Sequence, residues 1–277
     1  CRRSTSVGSG FPAVEDMRKF VICLVMLLLV ASPASACIGA RQAAMGWCGV
    51  AISDDATASY WNPAALVWVK DGIYYGRDYI YPDISKVPPE LLDYIDTSPR
   101  TGFNFAAKYN NWGFHYFNDD SKEYFRFSVG HLLTNEAAVG FNLGICKDKP
   151  YADPQWDYYT PSFDLSYIHK NGDFRFGILA QDIINIRPEV AYSTDLITTA
   201  IGFYDLFDVC QNFRDDSASL YDFHIGVELR PLPFMALRTG YNTALGHTHG
   251  AEIYFLYSKF GFAVIGEITY LSISCVF

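Results

Sequence analysis

After residue 36 the chain has no uninterrupted run of 18 apolar residues, so it contains no candidate membrane-spanning helix. It has no run of Lys or Arg that would make a basic patch, and its net charge is −9. That balance argues against nucleic acid as a partner. It lacks a CxxC pair, and Cys37, Cys48, Cys146, Cys210 and Cys275 are too scattered to read as a disulfide framework. It also lacks GxSxG, a phosphate loop and HExxH, so no enzyme and no cofactor is expected. His247-Thr248-His249 is the only close histidine pair. Without an identifiable third ligand it reads as a polar loop, and no metal is assigned.

What is present is aromatic. Tyr (20) and Phe (21) dominate, residue types that favour strands and gather at membrane–water interfaces. Residues 17–36 carry a positive Met17-Arg18-Lys19, an apolar Phe20 to Val30 and a small-residue Ala34-Ser35-Ala36, the pattern of a cleaved signal peptide. Residues 1–16 precede that Met without pattern and fit a start-site artefact. Cys37 follows the expected cleavage point and raises lipidation as an alternative, against which Ala34 stands where leucine is usual.

Two unlike regions follow. Residues 37–71 are rich in Gly and Ala and weakly periodic. Ser53-Asp54-Asp55 suits a helix start, with a cation or lumen arginines as the alternative partners of the two carboxylates, and Pro63 ends any helix. Residues 72–277 alternate. Phe125, Phe127 and Val129 oppose Arg126, Ser128 and Gly130; Phe174, Phe176 and Ile178 oppose Arg175 and Gly177. Phe223, Ile225, Val227 and Leu229 oppose Glu228; Leu237 and Tyr241 oppose Arg238; Ile253 and Phe255 oppose Glu252. Asn110-Asn111 and Asn171-Gly172 mark tight turns.

One apolar face suits a soluble sandwich or a membrane barrel. Charges in mid-strand on the other face favour the barrel, whose lumen can pair them. So do Tyr and Trp near segment ends, and closure removes exposed sheet edges. The expected fold is therefore all-β, a closed antiparallel transmembrane barrel of 12–14 strands. A first pass finds 13 strands. Even parity, with short turns at one end, requires another, and Ile184 to Tyr192 supplies it despite Pro188. Fourteen is the preferred count. Arg126, Arg175, Glu228, Arg238 and Glu252 are the candidate lumen residues, as a conduit lining or as a network holding 37–71 in place.

Gly39-Ala40-Arg41, Met45-Gly46, Asp54-Asp55-Ala56 and Trp61-Asn62-Pro63-Ala64, followed by strands to a terminal Phe277, resemble the FadL-type outer-membrane family, nearest its PorV-like branch. Residues 223–242 look like that branch's late hairpin. The resemblance implies a barrel with an N-terminal plug or hatch at 37–71, in which Asp54, Asp55, Asn62, Pro63 and Ala64 form the plug motif. It implies outer-membrane lipid and the barrel-assembly machinery as partners, with Phe277 as the assembly signal. It implies transport of hydrophobic compounds, or a role beside secretion-system components. A structural or partner-binding envelope barrel and a soluble or lipid-anchored exported β protein are the alternatives.

Overall fold

A computed structural model describes residues 39–80, 100–118, 122–148, 158–182, 185–203, 223–243, 246–265 and 268–277. The expected artefact and signal segments (1–36), Cys37 and Cys210 lie outside them.

Fourteen antiparallel strands close into a barrel, each paired with its sequence neighbours and the first with the last. They are β1 (Gly72–Ile80), β2 (Arg100–Tyr109), β3 (Trp112–Asn118), β4 (Lys122–Leu132), β5 (Ala137–Asp148), β6 (Tyr158–Asn171) and β7 (Phe174–Gln181). The other half comprises β8 (Asn185–Ser193), β9 (Ile197–Phe203), β10 (Phe223–Leu232), β11 (Met235–Asn242), β12 (Gly246–Phe255), β13 (Ser258–Ile265) and β14 (Ile268–Val276). Gly72 pairs with Val276 on one side and with Lys108 on the other, so the start of β1, the end of β14 and the Asn110-Asn111 turn share one rim. Every other strand-to-strand turn at this rim is short. Asn110 and Leu256 take left-handed backbone conformations there, at φ 53° and 55°.

The required extra strand is β8. Pro188 fits because the β8–β9 ladder ends at Glu189, leaving the proline nitrogen no bond to make on that side. The polar-loop reading of His247-Thr248-His249 was wrong. These residues lie in β12, with both histidines outward and Thr248 fully buried. Thr248 keeps its place in the ladder because its hydroxyl has an inward partner, described below.

The wall has inverted polarity. Outward positions carry large apolar side chains left exposed, among them Phe125, Phe127, Leu143, Ile145, Phe174 and Ile253. Inward positions carry Asn104, His115, Arg126, Asn142, Asp164, Glu189, Glu228 and Arg238, all buried. Tyr109 and Trp112 point outward beside the short-turn rim, as a girdle would, whereas Tyr74 points inward and is buried.

Residues 39–69 lie inside this wall. Helix α1 (Ala40–Ala44) packs against β11 to β14, and the 3-10 helix Pro63–Val67 against β3 to β6 on the other side of the ring. Helix α2 (Ala58–Trp61) packs against β2 to β4. Between 39 and 66 only Trp47 and Asp54 are less than fully buried. Where the segment meets the wall, the inward residue is often glycine. A Cβ at Gly140 would stand 2.3 Å from the Ala64 nitrogen, and one at Gly240 2.4 Å from the Gly46 nitrogen. Gly113, Gly130, Gly140, Gly177, Gly226 and Gly240 on the inner face thus trace the footprint of this segment, whereas Gly144 and Gly202 make room for other wall residues.

Candidate functional site

The site is the contact between residues 39–69 and the lumen wall. Its centre is Glu228 on β10, which is fully buried. Arg41 donates to it twice, from Nε at 2.8 Å and Nη2 at 3.2 Å. Arg230 Nε donates at 2.9 Å and Arg238 Nε at 2.6 Å. Those four bonds occupy the acceptor capacity of one carboxylate. Arg238 also pairs with Glu252 at 3.0 Å, and Arg41 with Asp54 at 2.7 Å. Buried charges persist only when paired and hydrogen-bonded in this way. The Arg41 Nη1 further donates to the Ile52 carbonyl, fixing the turn that carries Asp54.

The two adjacent aspartates do different work. Burial alone would raise the Asp54 carboxyl, but Arg41, with Lys259 and Arg230 beyond it, outweighs burial and holds it down at about 2. A lowered acid contributes stability above its ordinary pKa and loses it as pH falls through the lowered value. The stability drawn from the Arg41–Asp54 link is therefore lost progressively as pH falls from the ordinary carboxylate range towards about 2. Asp55 is pushed the other way by burial. It serves as a turn cap, accepting from the Thr57 amide at 2.8 Å.

Asn62-Pro63-Ala64 is a docking element. The Asn62 Oδ1 caps the 3-10 helix by accepting from the Ala64 amide at 3.1 Å, while its Nδ2 donates to the Val50 carbonyl at 2.7 Å. Pro63 occupies the first helical position, where its missing N–H costs nothing. The Ala64 amide also donates to Ser166 Oγ on β6 at 3.0 Å. On the far side of the ring, Gly46 with φ 68° donates its amide to Thr248 Oγ1 at 3.0 Å, and Thr248 returns a bond to the Ala44 carbonyl at 2.8 Å.

The expected lumen set divides. Glu228, Arg238 and Glu252 share one network. Arg126 belongs to another, donating to Asp164 at 2.9 Å beneath the rings of Tyr60 and Tyr124, with Asn142 on the same carboxylate. Arg175 is inward-facing and, with Ser53, Asp54, Trp68 and Lys170, lines a cavity of about 90 Å³. Phe277 donates its amide to the Asp71 carbonyl at the rim.

Sequence reasoning missed Glu189 on β8. It accepts three successive amides, Gly49 at 2.8 Å, Val50 at 3.1 Å and Ala51 at 2.9 Å. Its one legible sign is a carboxylate on the inward parity of a barrel strand. Aromatic side chains form a second missed feature. Trp47, Tyr60, Trp61, Phe117 and Tyr124 cluster where the segment meets β3 and β4, with Phe117 one residue from the β3 end farthest from the short turns.

No protein-family model matches the sequence, and no curated protein sequence does. Solved structures do match. The Pseudomonas putida toluene transporter TodX superposes with a TM-score of 0.56 at 10% identity, covering 89% of this chain and 99% of that one. The CymD monoaromatic hydrocarbon channel gives 0.55 at 12%, covering 89% and 98%. The Ralstonia pickettii toluene transporter TbuX gives 0.51 at 12%, covering 86% and 96%. At such identities the likeness establishes the barrel fold alone.

Proposed function

We propose that the chain is an outer-membrane transport barrel for small hydrophobic compounds, with residues 37–71 as its plug. The observation that carries this is the inverted wall with a buried segment docked across its lumen. An apolar belt of this extent is unsuited to water and is what hydrocarbon requires, and closure leaves no strand edge unpaired in lipid. The short-turn rim is then periplasmic, where the segment enters. The partners are outer-membrane lipid and the assembly machinery.

The cargo class is supported from two sides. The matched structures are by name toluene transporters and a monoaromatic hydrocarbon channel. Within this chain, Tyr60, Trp61 and Phe117 pack as a buried aromatic cluster where the segment meets β3, with Trp47 and Tyr124 partly buried against it, an aromatic lining at the end of β3 farthest from the short turns. The blocks that resemble the PorV-like branch include residues that dock the segment, among them Arg41, Gly46, Asp54, Asn62 and Ala64, which keeps a secretion-associated role as the finer alternative. Proteoliposomes distinguish the two. Toluene entry into vesicles carrying the barrel should exceed that into protein-free vesicles, after correction for passive permeation, with no stoichiometric partner in detergent pull-downs. No excess entry together with a stoichiometric envelope partner would overturn the transport reading.

A further inference from the structure

One buried cluster plays no part in the charge network described above. Cys48 of the inner segment, Glu189 of β8 and His224 of β10 place a sulfur, a carboxylate oxygen and an imidazole nitrogen within 4.8 Å of one another. All three residues are buried, at 0%, 1% and 2% exposure. We infer that they form a binding site for a zinc-like divalent transition metal, which clamps the segment to the wall.

The donor set selects the metal class. Thiolate, imidazole and carboxylate together suit zinc and its neighbours, whereas calcium and magnesium take oxygen ligands. Around a tetrahedral zinc, bonds of these types place donor atoms roughly 3.4–3.7 Å apart. The cluster therefore needs to contract by only about 1 Å.

The surroundings permit it. Glu189 Oε2 accepts two amides and Oε1 one, so Oε1 retains a lone pair for a metal. The carboxylate is held in place by those amides, a positioning of the kind that supports metal ligands. His224 Nε2 lies 3.6 Å from Glu189 Oε2. Between β8 and β10 the wall residue is Gly202, where a Cβ would stand 2.7 Å from His224 Nε2. Cys48 Sγ donates to the Ala200 carbonyl at 3.6 Å. On metal binding the S–H bond breaks, a metal–sulfur bond forms and the proton leaves to solvent. Three protein donors leave a fourth position for water.

The consequence is mechanical. Cys48 follows the turn at Gly46, and β8 and β10 flank β9. A metal would tie the inner segment to two strands of the wall by bonds stronger than the hydrogen bonds now joining them.

The test titrates Co2+, then Zn2+, into the detergent-purified full barrel after chelator treatment. The expected result is one cobalt per chain with thiolate-to-cobalt charge-transfer absorption, displaced by Zn2+. The absorption should vanish in Cys48→Ser and persist in Cys146→Ser. His224→Gln should weaken cobalt binding at least tenfold. Absence of the absorption from the stripped wild-type barrel, or its survival unchanged in Cys48→Ser, would overturn the proposal. If Cys48→Ser fails to fold, the wild-type and Cys146→Ser titrations decide it.

Discussion

Replacing Glu228 with alanine will free the inner segment. Arg41, Arg230 and Arg238 all donate to this one carboxylate. Its loss leaves buried guanidinium groups without their shared partner, and breaking a buried ion pair from one side costs about 3–5 kcal/mol. Asp54 and Glu252 retain part of the charge balance, which places the effect near the lower bound. About 3 kcal/mol corresponds to roughly two orders of magnitude in the docked-to-undocked ratio. Bilayer recordings of Glu228→Ala should show frequent large openings that the unaltered barrel lacks, and protease should cut the segment faster. Glu228→Gln, which keeps two acceptor pairs on one oxygen, should lie between. Recordings indistinguishable from the unaltered barrel would mean that the network does not hold the segment.

Gly140→Leu should undock the opposite side of the segment. Here the obstacle is backbone. The new Cβ would meet the Ala64 nitrogen at 2.3 Å and the Pro63 carbonyl carbon at 2.4 Å, and neither can swing away as a side chain tip could. The 3-10 helix must lift off β5, which breaks the Ala64 bond to Ser166 and strains the bond from Asn62 to Val50. Overpacking of this kind costs about 1–3 kcal/mol, and the lost bonds add to it. Hydrogen exchange at 58–67 should accelerate at least tenfold in Gly140→Leu. Val139→Leu, one residue away on the outer face, should leave it unchanged. Equal exchange in both variants would refute the close docking of this helix.

These two positions also show how far the sequence could be read. Gly140 and Glu228 stand on the polar parity of their strands, and period-two alternation placed both inward without any structure. The same alternation located the strands, and parity recovered β8 despite Pro188. It failed at the start of β12, where His247 and His249 put polar side chains outward, although it found the later part of that strand from Ile253 and Phe255 opposing Glu252. The lumen set was legible as a set, because charge on an inward parity must be paired somewhere. Its pairing was not. Arg126 and Glu228 share a face yet join separate networks, since partners across a lumen are chosen by position around the ring, which strand alternation does not encode. Asp54 and Asp55 show the same limit at short range. They are adjacent in sequence, but one turns to Arg41 and the other to Thr57. Cys48, Glu189 and His224 are brought together only by closure of the barrel around the segment.

The proposal that the inner segment is a plug is tested most directly by removing it. Single-channel conductance should be compared between the unaltered barrel and a chain lacking residues 39–66, with heat-modifiable gel mobility verifying that the shortened barrel has closed. A plugged barrel predicts low, intermittent conductance that becomes large and steady on deletion. The same conductance before and after deletion, in barrels shown to be closed, would contradict it.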